Sequence, residues 1–154
     1  MNRLTRFEAI PAAVSAIEGT GHLRVSGAFC GTNHLEAAAG PGTLEVPTKS
    51  IDKFCEERTW LDKVRLLKVD TEGHELEVLR GALQTLRRSP RALVMCENSD
   101  YGQLSAFFQA EGWPLFSVDG SGNLVRDVAT LRRSYNLIAC GREHPLARRV
   151  LAAC

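Results

Sequence analysis

The sequence has almost no net charge: 19 Lys and Arg residues stand against 18 Asp and Glu residues, for a formal value of +1 at pH 7. Charges of both signs are interspersed over most of the chain, so no strong field attracts nucleic acid or a membrane surface. The sequence also lacks an apolar run long enough to span a bilayer, and its first residues lack the apolar core of a signal peptide. We therefore expect a cytoplasmic protein with neither nucleic-acid nor membrane partners.

Paired cysteines and clustered metal ligands are missing as well. The five cysteines are scattered without a C-x-x-C spacing, and the four histidines do not cluster. Disulfides belong to oxidising compartments, and structural zinc needs closely spaced Cys and His ligands. The sequence therefore predicts reduced thiols and no metal site.

Several common catalytic motifs are absent. No G-x-x-x-x-G-K-[ST], G-x-S-x-G or H-E-x-x-H occurs, which excludes P-loop, α/β-hydrolase and zincin classes. The two G-x-G triplets, Gly19–Gly21 and Gly120–Gly122, look like dinucleotide loops, but neither follows a buried strand and opens a helix. We interpret both as turns.

The sequence does contain an alternation of strand and helix patterns. Its 154 residues, 44% hydrophobic and 24% charged, suit one domain over 1–154. Strands are predicted near 22–26, 43–47, 66–69, 92–96, 113–118 and 136–140, and helices near 51–58, 75–86, 100–111 and 145–151, with a loop over 27–42. This order predicts an α/β fold with an open, mostly parallel sheet and a late antiparallel strand.

Arg65 to Ala82, reading RLLKVDTEGHELEVLRGA, is the most informative stretch. A short apolar run ends at Asp70 and Glu72 and passes directly into a helical pattern. Ligands of open α/β sheets bind outside the carboxyl ends of the strands, so we predict Asp70, Glu72 and His74 as catalytic residues, with Asp70 and His74 as candidate bases. The alternative is structural, because acidic groups also stabilise a helix N-terminus.

Two further positions are candidate substrate contacts. Glu97 and Asn98 end the next predicted strand and can share a crevice with Asp70. His34 lies in the long loop. The alternatives are that Asn98 only forms a turn and that His34 is an ordinary exposed residue.

The central stretch closely resembles the strand and helix of the FkbM-type S-adenosylmethionine-dependent methyltransferases, in which D-x-E-G-x-E-x-x-V-L-x-G-A is typical. Supporting pieces follow in the expected order, with Ala12–Ser15 upstream, Val46–Thr48 running into Ile51–Asp52, and Val94–Glu97 after the helix. The resemblance covers essentially the whole chain.

The resemblance implies a Rossmann-like, class I methyltransferase fold that uses S-adenosylmethionine to methylate a hydroxyl of a small molecule or sugar. Asp70 matches the acid at the junction of cofactor and acceptor, and Glu97 matches the acid that ends the next strand. Ala13 and Val14 match a turn near the adenine. The implied cofactor contacts are therefore Ala13, Val14 and Asp70.

Family members begin with a strand, a Gly-rich turn, a helix and a second strand ending in a ribose-binding acid, and this chain starts after them. We therefore expect a domain truncated on its N-terminal side, or a fragment of a longer protein. A sheet without those strands exposes an apolar edge, which predicts a homodimer or larger homo-oligomer. The open functions are methyl transfer, a non-catalytic Rossmann-like module acting through self-association or partner binding, and small-molecule binding without turnover.

Overall fold

The structure, a computed structural model, describes residues 7–26 and 32–152. Its strands are β1 (Ala13–Val14), β2 (Gly19–Arg24), β3 (His34–Glu36), β4 (Thr43–Lys49), β5 (Leu66–Val69), β6 (Leu93–Glu97), β7 (Leu115–Val118), β8 (Leu124–Val125) and β9 (Asn136–Cys140). Its helices are α1 (Ile51–Glu57), α2 (Glu75–Arg80), α3 (Leu83–Arg88), α4 (Tyr101–Ala110), α5 (Val128–Arg133) and α6 (Pro145–Ala152). Within the described ranges, no helix has both the length and the apolar content needed to cross a membrane.

The larger sheet has five strands in the order β5-β6-β9-β7-β8. β5 and β6 are parallel, with Leu66 opposite Leu93, and the chain between them forms α2 and α3. β9 lies between β6 and β7 and is antiparallel to both. The predictions of an α/β chain and of a late antiparallel strand are therefore confirmed.

The prediction of a mostly parallel sheet is wrong in its pairings. β5, β6 and β7 run in the same direction, but the insertion of β9 makes both pairs on either side of it antiparallel. β8 pairs antiparallel with β7 because the turn at Gly120–Gly122 returns the chain directly alongside that strand. β5 with β6 is the single parallel pair that this sheet contains within the described residues.

The first part of the chain forms a separate four-stranded sheet in the order β1-β4-β2-β3. β2 pairs antiparallel with β3 and β4, whereas β1 is parallel to β4. The turn predicted at Gly19–Gly21 is wrong, because these residues pair with Val46–Thr48 as part of β2. Gly21 is required there by space, since a Cβ would lie 2.9 Å from Thr48 Cγ2. β3 was missed because it lies inside the predicted loop, of which 27–31 fall outside the described residues.

The single helix predicted near 75–86 is two helices, α2 and α3, separated by Gly81 and Ala82. The Gly81 carbonyl accepts a hydrogen bond from Asp52 N at 2.7 Å. The Asp52 carboxylate in turn accepts from Gln84 N at 2.9 Å and Thr85 N at 2.7 Å. Asp52 thus caps the first turn of α3 from another helix, a contact between distant residues that local sequence patterns do not reveal.

The core covers both faces of the larger sheet. One cluster packs α2, α3 and α4 on the sheet and includes Val94, Phe108 and Leu137, each at most 1% exposed. A smaller cluster on the opposite face contains Phe116 and Ala147, which come from β7 and α6. Burial on both faces explains why β6 and β9 read as almost continuous apolar runs in the sequence.

The buried thiols should be unreactive in the folded protein. Cys55, Cys96 and Cys140 are free and buried, and burial raises the pKa of Cys96 to about 12 and of Cys140 to about 11. Because only the thiolate reacts, we expect no alkylation of these three by iodoacetamide at pH 8 and full alkylation in urea. Peptide mass mapping checks this, and rapid labelling of Cys96 in native protein would contradict it. Cys30 and Cys154 lie outside the described residues.

Candidate functional site

A pocket of about 260 Å³ lies between the four-stranded sheet and the carboxyl end of β5. It is lined by Ala12, Ala13, Val14, Leu23, Asn33, His34, Leu35, Asp70, Thr71 and His74. Five residues predicted from the sequence therefore surround one pocket: Ala13, Val14, His34, Asp70 and His74. A larger cavity of about 360 Å³, beside α4 and β7, is lined by none of the predicted residues.

Ala13 and Val14 form one wall of the pocket as a short strand. The resemblance implied a turn here, and the structure corrects this, because Ala13 pairs with Thr48 and Val14 with Lys49 of β4. This parallel pairing places two small apolar side chains on the pocket wall. Their predicted contact with a cofactor stays a prediction.

Asp70 follows β5 directly and is exposed at the pocket rim. Its Oδ2 accepts a hydrogen bond from Lys68 Nζ at 2.7 Å, and both side chains are 40–50% exposed. A solvated pair of this kind contributes little to stability. Lys68 therefore orients the carboxylate but leaves it accessible.

The loop between Asp70 and α2 is held by a buried carboxylate, that of Glu75, which is 0% exposed. Its Oε1 accepts hydrogen bonds from Thr71 N at 2.9 Å and Thr71 Oγ1 at 3.0 Å, and its Oε2 accepts from Gly73 N at 3.1 Å and from Ser99 Oγ. Burial alone would raise the pKa of Glu75, but the hydrogen bonds from Ser99 and Thr71 outweigh it and hold the pKa below its ordinary value. Glu75 thus stays ionised and fixes the shape of the loop.

Glu72 takes an uncommon backbone conformation in this loop. Its φ is 54°, and Gly73 follows with a φ of 98°. A left-handed residue other than glycine costs on the order of 1 kcal/mol and persists only where its surroundings impose it. The hydrogen bonds from Thr71 and Gly73 to Glu75 hold this backbone conformation in place. The exposed side chain of Glu72 thereby lies near those of Asp70 and Glu97.

The ends of β5 and β6 bring three carboxylates together. One oxygen each of Asp70, Glu72 and Glu97 lies within 4.8 Å of the other two. The predicted convergence of these acids at one edge is therefore found. Oxygen ligands of this type suit a hard cation, but exposed acidic groups also cluster without one. The absence of a metal site stays a prediction.

Tyr135, which no local sequence pattern marks as a site residue, lies beside this carboxylate cluster. The carboxylate of Glu97 makes the largest contribution to raising the pKa of Tyr135, and the negative charges of Asp70 and Glu72 raise it further. The ring is 70% exposed. Glu97 Oε2 is buried without a hydrogen-bond partner among the described residues.

Asn98 has a structural contact. Its Nδ2 donates to the carbonyls of Leu131 at 3.0 Å and Ser134 at 2.9 Å, at the end of α5. It does not line the pocket. Its predicted contact with a substrate stays a prediction.

The two histidines reach the pocket from different elements, His34 from β3 and His74 from the start of α2. His74 precedes α2, and its Nε2 lies 2.9 Å from Ser15 Oγ. His34 belongs to β3, and its Nδ1 lies 3.1 Å from the Thr32 carbonyl oxygen and its Nε2 lies 3.7 Å from Glu36 Oε1. Both histidines line the pocket, and their chemical roles stay predictions.

Gly81 fixes the distance between the pocket wall and α2. A Cβ at this position would lie 2.2 Å from the backbone oxygen of Ser15, although its φ of −72° suits any residue. We expect Gly81→Ala to lower the free energy of unfolding by about 1–3 kcal/mol, because a backbone segment must move. Urea unfolding measures this. Gly120→Ala is the matched control, since a Cβ there meets nothing within 4 Å, and equal effects of both variants would contradict the explanation.

The fold and the site define an α/β chain with a pocket and convergent carboxylates at the carboxyl ends of two parallel strands, where open sheets bind their ligands. A family model described as Methyltransferase FkbM domain matches residues 9–116. The match covers more than half of the chain, so the chain belongs to the FkbM methyltransferase family, as the sequence predicted. No curated protein and no solved structure matches the chain.

Proposed function

We propose that the chain transfers a methyl group from S-adenosylmethionine to a hydroxyl of a small molecule or sugar. The observation that carries the proposal is the position of Asp70, which lines the pocket and also belongs to the carboxylate cluster with Glu72 and Glu97. A single side chain is thus in reach of both a molecule in the pocket and one at the strand ends. Membership of the FkbM family supports the same reaction class.

The residues around the pocket fit a part of this cofactor. Ala13, Val14 and Leu35 offer an apolar wall to a purine, and the nearby carboxylates suit ribose hydroxyls and a positive charge. The volume of about 260 Å³ is just below the usual ligand pocket of about 300–1,000 Å³, so it accommodates a portion of the molecule. When bound, S-adenosylmethionine supplies an electrophilic methyl group.

Asp70 is the proposed proton acceptor for the acceptor hydroxyl. An exposed carboxylate at a pocket rim can accept a hydrogen bond from a hydroxyl and take its proton as the oxygen attacks. Lys68, 2.7 Å away, orients it. Because methyl transfer needs an in-line approach, the remaining residues contribute mainly by positioning the reactants.

Glu97 is proposed to bind the acceptor. Its buried Oε2 has no donor within the described part of the chain, and buried polar atoms are normally satisfied. A hydroxyl is a suitable donor. The exposed ring of Tyr135 beside it offers an apolar surface for the same molecule.

Calorimetric titration with S-adenosylmethionine tests the proposal. We expect micromolar binding by the wild-type chain and its loss in Asp70→Ala. Asp62→Ala is the control, because Asp62 is exposed and does not line the pocket. A wild-type protein that gives no heat at millimolar cofactor would overturn the proposal and favour the non-catalytic alternative.

We also propose that the chain self-associates through the edge of the larger sheet. β5 is an edge strand whose described partner is β6, and Leu66 on it is 62% exposed. Such an edge is a template for another strand. Sedimentation at micromolar concentration should show a dimer or larger assembly, and Leu66→Lys should weaken it. A monodisperse wild-type monomer would contradict self-association.

A further inference from the structure

Ser15 is held in place by three independent contacts. Its backbone N–H donates to the Lys49 carbonyl at 3.0 Å. Its backbone oxygen occupies the space that a Cβ on Gly81 would need, 2.2 Å from that position. Its hydroxyl lies 2.9 Å from Nε2 of His74. The side chain therefore meets the histidine from a fixed backbone position.

The backbone of His74 is held by the first turn of α2. It is the residue before α2, and its carbonyl accepts a hydrogen bond from Val78 N at 3.2 Å. Its side chain lines the pocket together with Asp70 and Thr71. Ser15 is thus the group that sets the orientation of an imidazole in the pocket wall.

The direction of the Ser15–His74 hydrogen bond decides what the imidazole can do. A serine hydroxyl both donates and accepts, whereas a neutral imidazole has one N–H and one lone pair. If the hydroxyl donates to Nε2, the lone pair is used and the proton lies on Nδ1, so the ring has no free basic nitrogen. If Nε2–H donates to the hydroxyl, the lone pair on Nδ1 stays available to accept a proton.

We propose that Ser15 is a positioning residue that accepts the hydrogen bond of Nε2–H and thereby keeps His74 as a base of the pocket. The inference rests on the proposed function, because a base in the pocket assists the removal of a proton from an acceptor hydroxyl. Asp70 remains the main proton acceptor, and His74 assists it. The proton leaves the hydroxyl and passes to His74 Nδ1 or to the Asp70 carboxylate.

The first test observes the imidazole directly and needs no cofactor. In protein labelled with ¹⁵N-histidine, at a pH about two units above the ordinary histidine pKa of about 6.5, we expect His74 to show protonated Nε2 and unprotonated Nδ1. In Ser15→Ala both tautomers should be populated, and Ser15→Thr, which keeps the hydroxyl, should restore the wild-type pattern. Proton on Nδ1 in the wild type, or an unchanged pattern in Ser15→Ala, overturns the inference.

The second test links the contact to the reaction. Ser15→Ala should lower the rate of methyl transfer about tenfold or more, because the imidazole of His74 is then no longer held in the orientation in which it accepts the proton. Ser15→Thr should recover most of the rate, and the urea midpoints of both variants show whether they are folded. Failure of the wild type to bind S-adenosylmethionine refutes the proposed function alone, whereas an unchanged rate in Ser15→Ala refutes the positioning role alone.

Discussion

Asp70→Asn should lower the rate of methyl transfer by about 100- to 10,000-fold, the range that a positioned base contributes. The amide keeps the size of the carboxylate and its hydrogen bond from Lys68, but it cannot take a proton. Binding of S-adenosylmethionine should fall less than in Asp70→Ala, because an oxygen remains at the rim. Steady-state transfer assays and calorimetry separate the two effects.

The control for this variant is Asp62→Asn, which removes an equal charge from an exposed position away from the pocket lining. It should leave the transfer rate unchanged. A transfer rate in Asp70→Asn within about threefold of the wild type would remove Asp70 as the base and leave His74 as the remaining candidate.

Glu75→Ala should lower the free energy of unfolding by about 3–5 kcal/mol. The substitution leaves the N–H groups of Thr71 and Gly73 without their acceptor and opens a cavity where a fully buried side chain stood. Urea unfolding followed by circular dichroism measures the change. Glu77→Ala, on the same helix but with a partly exposed side chain paired with Arg80, should change stability by less than about 0.5 kcal/mol.

The same carboxylate predicts the acid sensitivity of the fold. Because the pKa of Glu75 is lower in the folded protein than its ordinary value of 4.5, its contribution is fully present above pH 4.5 and is lost as pH falls through the folded value. Unfolding free energies measured from pH 6 downwards should therefore decline below pH 4.5. In Glu75→Gln, this part of the decline should disappear, and an identical slope in both proteins would contradict the assignment.

Local patterns were sufficient to predict the acidic half of the site. Asp70 and Glu97 each follow an apolar run, and carboxyl ends of parallel strands meet at one edge, so their convergence with Glu72 could be inferred before the structure. The helix cap at Ser50, which accepts from Lys53 N at 3.2 Å, follows from the same kind of local rule.

The other half of the site depends on contacts between distant segments. The pocket wall exists because β1 pairs with β4 and because Ser15 packs against Gly81. No local sequence pattern predicts either contact. The local sequence marks Glu75 only as an acid at a helix start, and its hydrogen bond from Ser99, which lies beyond β6, could not be inferred from it. Tyr135 reaches Glu97 through the pairing of β9 with β6.

The position of β9 has a consequence for how the chain folds during synthesis. β9 is the latest strand of its sheet in chain order, yet it lies between β6 and β7 and pairs with both. Until residue 140 has left the ribosome, β6 and β7 have exposed edges and no common partner, a state prone to aggregation. Nascent chains stalled with β9 still inside the ribosome should therefore recruit chaperones, and chains with a carboxyl-terminal extension that brings Cys140 out of the ribosome should release them.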